Sequence, residues 1–474
     1  MSSESEPVRF DPKDVLTFLK IDRQQAAKKI LTDRQIKFTE IYEKVGDENL
    51  QQQAGRCLDC GNPYCEWKCP LHNYIPNWLE LSANDRFEDA ATLMHQTNPL
   101  PEICGRVCPQ DRLCEQACTL NTGFGAVTIG AIEKSIADRS LENGWRPDLS
   151  AIPETGKRVA IIGAGPAGLG CAELLCRNGV KAVVFDQYPQ IGGLLTFGIP
   201  GFKLEKEIIQ KRRDFLEDIG VEFKLNTHVG SDVSFEDLEE KYDAVFLGMG
   251  TYNSVEGELA GRDNQGVIKA LDYLIGNINQ QQSYAMKNYP YYDLQHKRVI
   301  VLGGGDTAMD CVRSAIRQQA ETVRCVYRRT EIDMPGSRQE VQNAREEGVE
   351  FVFNLQPTAI LSENGKVSGV EFNSTESTTG EPGKTVFLQA DAVIIAFGFK
   401  ASPADWFQSN NISTLDNGLV QTRPSTQPHL PYSQQTNISG VFAGGDMVRG
   451  ADLVVTAIAE GREAAREILD YLQV

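Results

Sequence analysis

Eight of the twelve cysteines fall in two tight groups between positions 57 and 118. Cys57, Cys60, Cys65 and Cys69 read C-x2-C-x4-C-x3-C-P, and Cys104, Cys108, Cys114 and Cys118 read C-x3-C-x5-C-x3-C with Pro109 directly after the second cysteine. Thiolate is the ligand that iron–sulfur clusters prefer, and eight thiols match the need of two four-iron (4Fe-4S) clusters. Zinc would take C-x2-C pairs in sets of four; Cys57 and Cys60 fit half of such a set, but the x3 and x5 gaps are untypical of zinc ribbons. The run ending in Cys69-Pro70 is close to the bacterial ferredoxin run with one gap lengthened. Iron–sulfur is therefore the favoured reading. Disulfides fit worst. The N-terminus MSSESEPVRF has no charged n-region leading into an apolar stretch, so no secretory signal is expected. In a cytoplasmic chain of this size, clustered cysteines read as metal or redox chemistry.

Two glycine turns follow. Residues 157–170 read KRVAIIGAGPAGLG and residues 297–310 read KRVIVLGGGDTAMD. In the first, an apolar strand runs into a full G-x-G-x-x-G at 163–168. Gly163 allows the tight turn, Gly165 lets the backbone approach a pyrophosphate, and Gly168 permits close helix–strand packing. Pro166 and Ala167 open a helix whose N-terminal N–H groups aim at that pyrophosphate. The next strand ends in Asp186, an acceptor for ribose hydroxyls. Gly192, Gly193 and Leu194 come soon after, and Gly444, Gly445 and Asp446 close a later strand ahead of a helical run at 451–469. An aspartate there suits ribityl hydroxyls, and a helix N-terminus suits the negative end of a reduced isoalloxazine. The first turn thus reads as an FAD site.

The second turn, with Gly303, Gly305, Asp306, Thr307 and Ala308, is G-x-G-x-x-A. Its next strand ends in Arg328 and Arg329 rather than in a carboxylate. A carboxylate repels a 2′-phosphate, whereas paired guanidiniums bind it through charge-assisted hydrogen bonds. This site therefore reads as NADPH rather than NADH, with Ala396, Phe397 and Gly398 lining its approach. No catalytic side chain is expected, because the cofactors carry the chemistry. The five histidines show no metal spacing, and no Ser–His–Asp set is evident. Cys171, Cys176, Cys311 and Cys325 read as core residues. Electrons would enter as hydride and leave singly.

The elements that must position these groups suggest an α/β chain: a helical N-terminal iron–sulfur domain followed by two nested Rossmann-like dinucleotide-binding domains. The expected division is 1–150 for the helical domain, with helices at 75–82 and 87–95; 151–290 and 391–474 for the two segments of the FAD domain; and 291–390 for the inserted NADPH domain. Residues 140–156 read as a linker. The run at 390–398 is expected to return to the first sheet. Residues 1–50 read as an arm packed on its own domain through Val15, Leu16, Phe18, Leu19, Ile36, Phe38 and Ile41. The net charge of −18 and the lack of any basic run argue against nucleic acid. No stretch of 18 apolar residues predicts a membrane span.

These motifs resemble the small (β) subunits of bacterial NADPH-dependent glutamate synthases and the matching N-terminal part of dihydropyrimidine dehydrogenase. The likeness runs through RCLDCGNPYCEWKCP at 56–70, CGRVCPQDRLCEQAC at 104–118, GGLLTFGIPGFKL at 192–204, YRRTEIDMPGSRQE at 327–340 and AGGDMVRGADLVVTAIAEGR at 443–462, beside the two glycine turns. The resemblance implies FAD in the outer domain and NADPH in the inserted one. It also implies interleaved clusters: one on Cys57, Cys60, Cys65 and Cys118, the other on Cys69, Cys108 and Cys114 with Glu133 or Cys104 as fourth ligand. Lys203 is implied as a flavin contact. The partner implied is a large (α) subunit that holds FMN and a three-iron (3Fe-4S) cluster and forms glutamate from glutamine and 2-oxoglutarate. A related NADPH-linked subunit with another acceptor, such as ferredoxin, shares nearly every motif, and a structural scaffold is the non-enzymatic alternative. The paired arginines carry a direct test. Arg328→Ala with Arg329→Ala should raise the KM for NADPH far more than that for NADH; equal effects on both cofactors would remove the 2′-phosphate role.

Overall fold

Short runs of β-branched residues alternating with helices force parallel pairing, and a strand covered on both faces must be apolar throughout. Arg158–Ile162 and Arg298–Leu302 meet that requirement, with four successive buried residues each. The computed structural model, which describes residues 10–12, 14–375, 384–422 and 432–474, places them at the centres of two five-stranded sheets. The first sheet runs Val441–Ala443, Ala244–Leu247, Arg158–Ile162, Lys181–Phe185, Glu222–Lys224. The second runs Val267–Lys269, Ala392–Ile395, Arg298–Leu302, Thr322–Val326, Glu350–Val352. Every pairing within both is parallel. In each sheet the strand ending in a glycine turn sits where the strand order reverses, which opens a crevice at the carboxyl ends. An antiparallel meander of Leu355–Glu363, Lys366–Ser374 and Thr385–Gln389 covers one face of the second sheet through Val370 and Phe372.

The run at 390–398 does not return to the first sheet. Ala392–Ile395 pairs with Arg298–Leu302 on one side and Val267–Lys269 on the other. Its expected place is filled by Ala244–Leu247. The two runs are echoes, DAVFLGMG at 243–250 and DAVIIAFG at 391–398. Each opening aspartate does the same work: Asp243 accepts from the backbone N–H of Arg158 at 2.8 Å, and Asp391 from that of Arg298 at 2.9 Å. What separates them is chain order. Asn253–Ser254 and Phe399–Lys400 pair antiparallel, so the two crossings between the sheets form one ribbon. Ala244–Leu247 precedes the outward crossing and Ala392–Ile395 precedes the return. Val267–Lys269 and the helix Ala270–Gln282, expected with the first unit, accordingly lie beyond the outward crossing, and Val267–Lys269 edges the second sheet.

The cysteine-bearing region is helical, built on Ile75–Ala83, Phe87–Thr97, Pro101–Val107 and Ile129–Glu142. Proline opens the first and third of these at a position where a missing N–H costs nothing. Phe87, Ala90, Ala91 and Met94 fall on one buried face, the spacing of an amphipathic helix. They pack with Trp78, Leu79, Ile132 and Ile136. The last helix runs to Glu142, so the linker begins later than its composition suggested.

The arm is held differently from expectation. Ile41 is buried and Phe18 and Phe38 half-buried, but Val15, Leu16, Leu19 and Ile36 are exposed. Helices of only four residues cannot bury a broad apolar face, and polar contacts anchor the segment instead. Arg34 meets Glu346 at 2.9 Å, and the Tyr42 hydroxyl accepts from Asn343 at 3.1 Å.

A fully buried ion pair ties the helical domain to the first sheet's domain. Arg212 donates from Nε to Glu102 Oε1 at 2.8 Å and from Nη2 to Oε2 at 2.5 Å, and neither side chain is exposed. Removing one partner strands a charge in the interior. Glu102→Ala should therefore cost about 3–5 kcal/mol of stability, read as a lower denaturant midpoint; a midpoint within error of the parent would show that the pair is not a tie.

Candidate functional site

Both glycine turns open into one cavity of about 1030 Å³. On the first side, Gly163, Gly165, Pro166, Ala167, Asp186 and Asp446 line it. Gly193 and Leu194 reach it as well. On the second side, Gly303, Gly305, Asp306, Thr307 and Arg328 line it, and Ala396, Phe397 and Gly398 close over them. Gly168, Gly192, Gly445, Ala308 and Arg329 are not among the residues that line it. Sequence reasoning missed the stretch Gly248 to Tyr252, which lines the first side as Ala396–Gly398 lines the second. The echo of AVFLGMG with AVIIAFG was the available signal.

The glycines divide by what a side chain would meet. At Gly168 a Cβ would run into the carbonyl oxygen of Gly163, and at Gly303 into that of Ala396. At Gly165 the nearest atom to a Cβ is Gly248 O at 4.0 Å, and at Gly305 it is Pro335 Cγ at 4.0 Å. The first pair is thus required by packing, while the second pair bares backbone toward the cavity at the N-termini of Pro166–Arg177 and Asp306–Arg317. Such a bare N-terminus, with its unpaired N–H groups and positive dipole end, is a cradle for a pyrophosphate. Gly193, at φ +54° and ψ −127°, occupies a conformation that only glycine adopts readily, and it brings the backbone against Gly165.

Asp186 is nearly buried and accepts from the backbone N–H of Ala164 at 2.7 Å and of Tyr188 at 2.8 Å. Burial pushes its carboxyl up to about 6, against those two bonds. Burial likewise pushes Asp446 up to about 7, with the carboxylates of Asp452 and Glu460 adding to the rise. The Gly445 N–H donates to Glu460 at 2.7 Å, which fixes the turn that presents Asp446. Arg328 and Arg329 are exposed at the end of Thr322–Val326. Lys203 lines the cavity, but its ammonium lies 3.0 Å from Asp310 on the Asp306–Arg317 helix, so it bridges the two dinucleotide domains.

The cysteines regroup across their sequence groups. Cys57, Cys60, Cys65 and Cys118 line one small cavity walled by Leu79, Val127 and Ile129. Cys69, Cys108 and Cys114 gather with Cys104 and Glu133: the Cys104 thiol raises that of Cys108 through a hydrogen bond, and Glu133 and Cys69 both act on Cys108 and Cys114. Glu133 Oε1 accepts from Asn73 and Asn98, each at 2.9 Å, and Asn98 Oδ1 accepts from the Cys104 thiol at 3.7 Å. Burial pushes the Glu133 carboxyl up to about 8 and the thiols of Cys57, Cys65 and Cys69 up to about 12. As bare thiols they keep their protons, which metal binding would have to displace. All twelve cysteines are unpaired. Among the described residues no three His, Cys, Asp or Glu side chains converge on a single-ion site. The first set, four thiols around one cavity, has the ligand type and number that a four-iron cluster takes. The four remaining cysteines are buried, as expected of core residues.

Residues 34–145 match the family described as dihydropyrimidine dehydrogenase domain II, 4Fe-4S cluster, and residues 157–461 match pyridine nucleotide-disulphide oxidoreductase. A curated relative from Halomonas elongata, the glutamate synthase (NADPH) small chain, is 56% identical over 96% of this chain and 98% of its own. The protein of the same name from Escherichia coli K12 is 55% identical over 98% of this chain and 100% of its own. Among solved structures, Mycobacterium tuberculosis FprA in complex with NADPH superimposes with a TM-score of 0.54 at 17% identity, over 67% of this chain and 85% of that one. That likeness is one of fold.

The two kinds of glycine give opposite expectations. Gly165→Ala should leave the thermal midpoint near that of the parent while lowering bound flavin. Gly168→Ala should lower the midpoint itself, because backbone must move. Flavin absorbance per chain and thermal unfolding read the two effects apart; full flavin in Gly165→Ala would mean that the cradle is not there.

Proposed function

The chain belongs to the family of glutamate synthase (NADPH) small chains, and on that premise we propose that it is the electron-input subunit of such an enzyme, working in the cytoplasm. The observation that carries the reading is the single cavity shared by both glycine turns. Bound in this chain, FAD and NADPH supply hydride chemistry and two 4Fe-4S clusters supply one-electron chemistry. The chain's own residues bind, orient and shield.

On the flavin side, Gly163 to Gly168 and the N-terminus of Pro166–Arg177 would receive the pyrophosphate of FAD. Asp186 would accept ribose hydroxyls with the lone pairs that the Ala164 and Tyr188 N–H groups leave open. Gly192 and Gly193 would bring backbone against the cofactor, and Asp446 would bond the ribityl chain. A carboxyl held up to about 7 can donate as well as accept near neutrality. On the nicotinamide side, Gly303 to Ala308 would cradle the second pyrophosphate, and Arg328 and Arg329 would clamp the 2′-phosphate. Lys203, bound to Asp310, would hold the two dinucleotide domains in register rather than act on a reacting atom.

For the clusters, Cys57, Cys60, Cys65 and Cys118 would supply one ligand set, and Cys69, Cys108 and Cys114 the other, completed by Glu133 or Cys104. Asn98 touches both of these last two groups and would set which of them turns inward. Electrons would leave to a large subunit that carries FMN and a 3Fe-4S cluster and forms glutamate from glutamine and 2-oxoglutarate. Among the described residues no helix is long and apolar enough to cross a membrane.

Oxygen-free preparation should yield about eight iron, about eight inorganic sulfide and about one flavin per chain, and NADPH should bleach the flavin band. Cys118→Ser should halve the iron and leave the flavin. Stoichiometric zinc without sulfide would end the electron-relay reading.

A further inference from the structure

We propose that Arg112, carried by the iron–sulfur domain, clamps the pyrophosphate of the dinucleotide held at the second glycine turn. The inference rests on the NADPH reading above and adds a residue from a different domain to that site. Arg112 lies between Cys108 and Cys114, on the short turn Gln110–Arg112. That turn is docked onto the second dinucleotide domain. Arg112 Nη1 donates to the carbonyl of Pro335 at 2.6 Å, and Nη2 reaches Asp306 Oδ2 at 3.3 Å. Its neighbour Asp111 accepts from the backbone N–H of Arg338 at 3.1 Å and from the Ser337 hydroxyl at 3.4 Å. Arg112 lines the same cavity as Gly305, Asp306 and Thr307, and its side chain is 42% exposed.

The charges make this placement informative. A cation beside a helix N-terminus adds positive to positive and costs free energy on its own. Asp306 offsets part of that, but its other oxygen is engaged by the Ser337 N–H at 2.9 Å, and a half-exposed pair is a weak anchor. What the arrangement lacks is a stronger anion between the guanidinium and the bare backbone of Gly305, where a Cβ would find no atom nearer than Pro335 Cγ at 4.0 Å. A pyrophosphate supplies that anion, and the planar fork of arginine suits phosphate oxygens in pairs. Arg328 and Arg329 stand on a different element, at the end of Thr322–Val326, and serve the 2′-phosphate end. The two positions therefore recognise different parts of one ligand. Because Arg112 sits between two cysteines of the second cluster set, the loop that would hold iron also touches the nucleotide.

Titration calorimetry of the full chain with NADP+ and with 2′-AMP, under oxygen-free conditions, tests the assignment. 2′-AMP carries the 2′-phosphate but no pyrophosphate. Arg112→Ala should raise the Kd for NADP+ roughly tenfold, as expected for one lost charged hydrogen bond, and leave that for 2′-AMP unchanged. Arg112→Lys, which keeps the charge but not the fork, should recover part of the loss and guards against a variant that fails to hold iron. Arg328→Ala with Arg329→Ala should weaken both probes. An unchanged NADP+ affinity in Arg112→Ala, or an equal loss for 2′-AMP, overturns the proposal. Failure of the parent protein to bind either probe would instead overturn the NADPH reading, so the two failures are separable.

Discussion

Two helix N-termini, at Pro166 and Asp306, face one cavity, and everything proposed for this chain depends on that convergence. A chain of net charge −18 should repel polyanionic dinucleotides. It can bind them because the positive charge is local and largely made of backbone: unpaired N–H groups at helix starts, brought into the open by Gly165 and Gly305. Bulk charge governs solubility and encounter, whereas binding is decided within a few ångströms of each turn. Burial pushes the Asp446 carboxyl up to about 7, so near neutrality it carries less negative charge than an ordinary carboxylate, whereas Asp186, at about 6, stays mostly ionised.

The two sheets repeat one design. Each has a central strand ending in a glycine turn, a neighbour opened by an aspartate that caps the central strand, and a helix packed so closely that the third turn position tolerates no ordinary Cβ in the first copy. The copies are joined by a two-stranded ribbon, by the Lys203–Asp310 pair, by Arg313 and Arg317 over the ring of Phe202, and by an apolar cluster in which Phe197 packs with Leu271 and Ile275. Together these contacts define the register in which both turns share a cavity.

The helical domain is tied to the first unit by a shared apolar cluster, in which Leu100 and Ile103 pack with Ile208 and Phe215, and to both units by charged and polar contacts. Glu102–Arg212 joins it to the first unit, Asp111 and Arg112 join it to the second, and the arm reaches the same second unit through Arg34 and Tyr42. The one fully buried pair among these, Glu102–Arg212, specifies geometry more than it stabilises, since much of its Coulomb energy offsets lost hydration. These contacts hold the cysteine loops against both nucleotide units. Such an arrangement suits an electron relay, whose donors and acceptors must keep fixed separations.

Glycine fingerprints, the carboxylate or arginines closing the next strand, and cysteine spacing were legible in the chain because each depends on residues within about thirty positions and on local chemistry. The helices expected at 75–82 and 87–95 form over Ile75–Ala83 and Phe87–Thr97 for the same reason, their buried faces recurring at helical period. Strand membership was not. Ala244–Leu247 and Ala392–Ile395 have nearly the same pattern, and only hydrogen bonding to partners far along the chain assigns each to its sheet. The arm failed for a related reason: apolar residues on four-residue helices have no face to bury, so burial there follows from whichever surface lies beneath. Nor could spacing alone group Cys118 with Cys57, Cys60 and Cys65, because the helical packing that folds the second cysteine group back onto the first is a non-local event. Local stereochemistry and ligand type are written in neighbouring residues; which of them meet is settled by packing, where distant segments compete for the same buried surface.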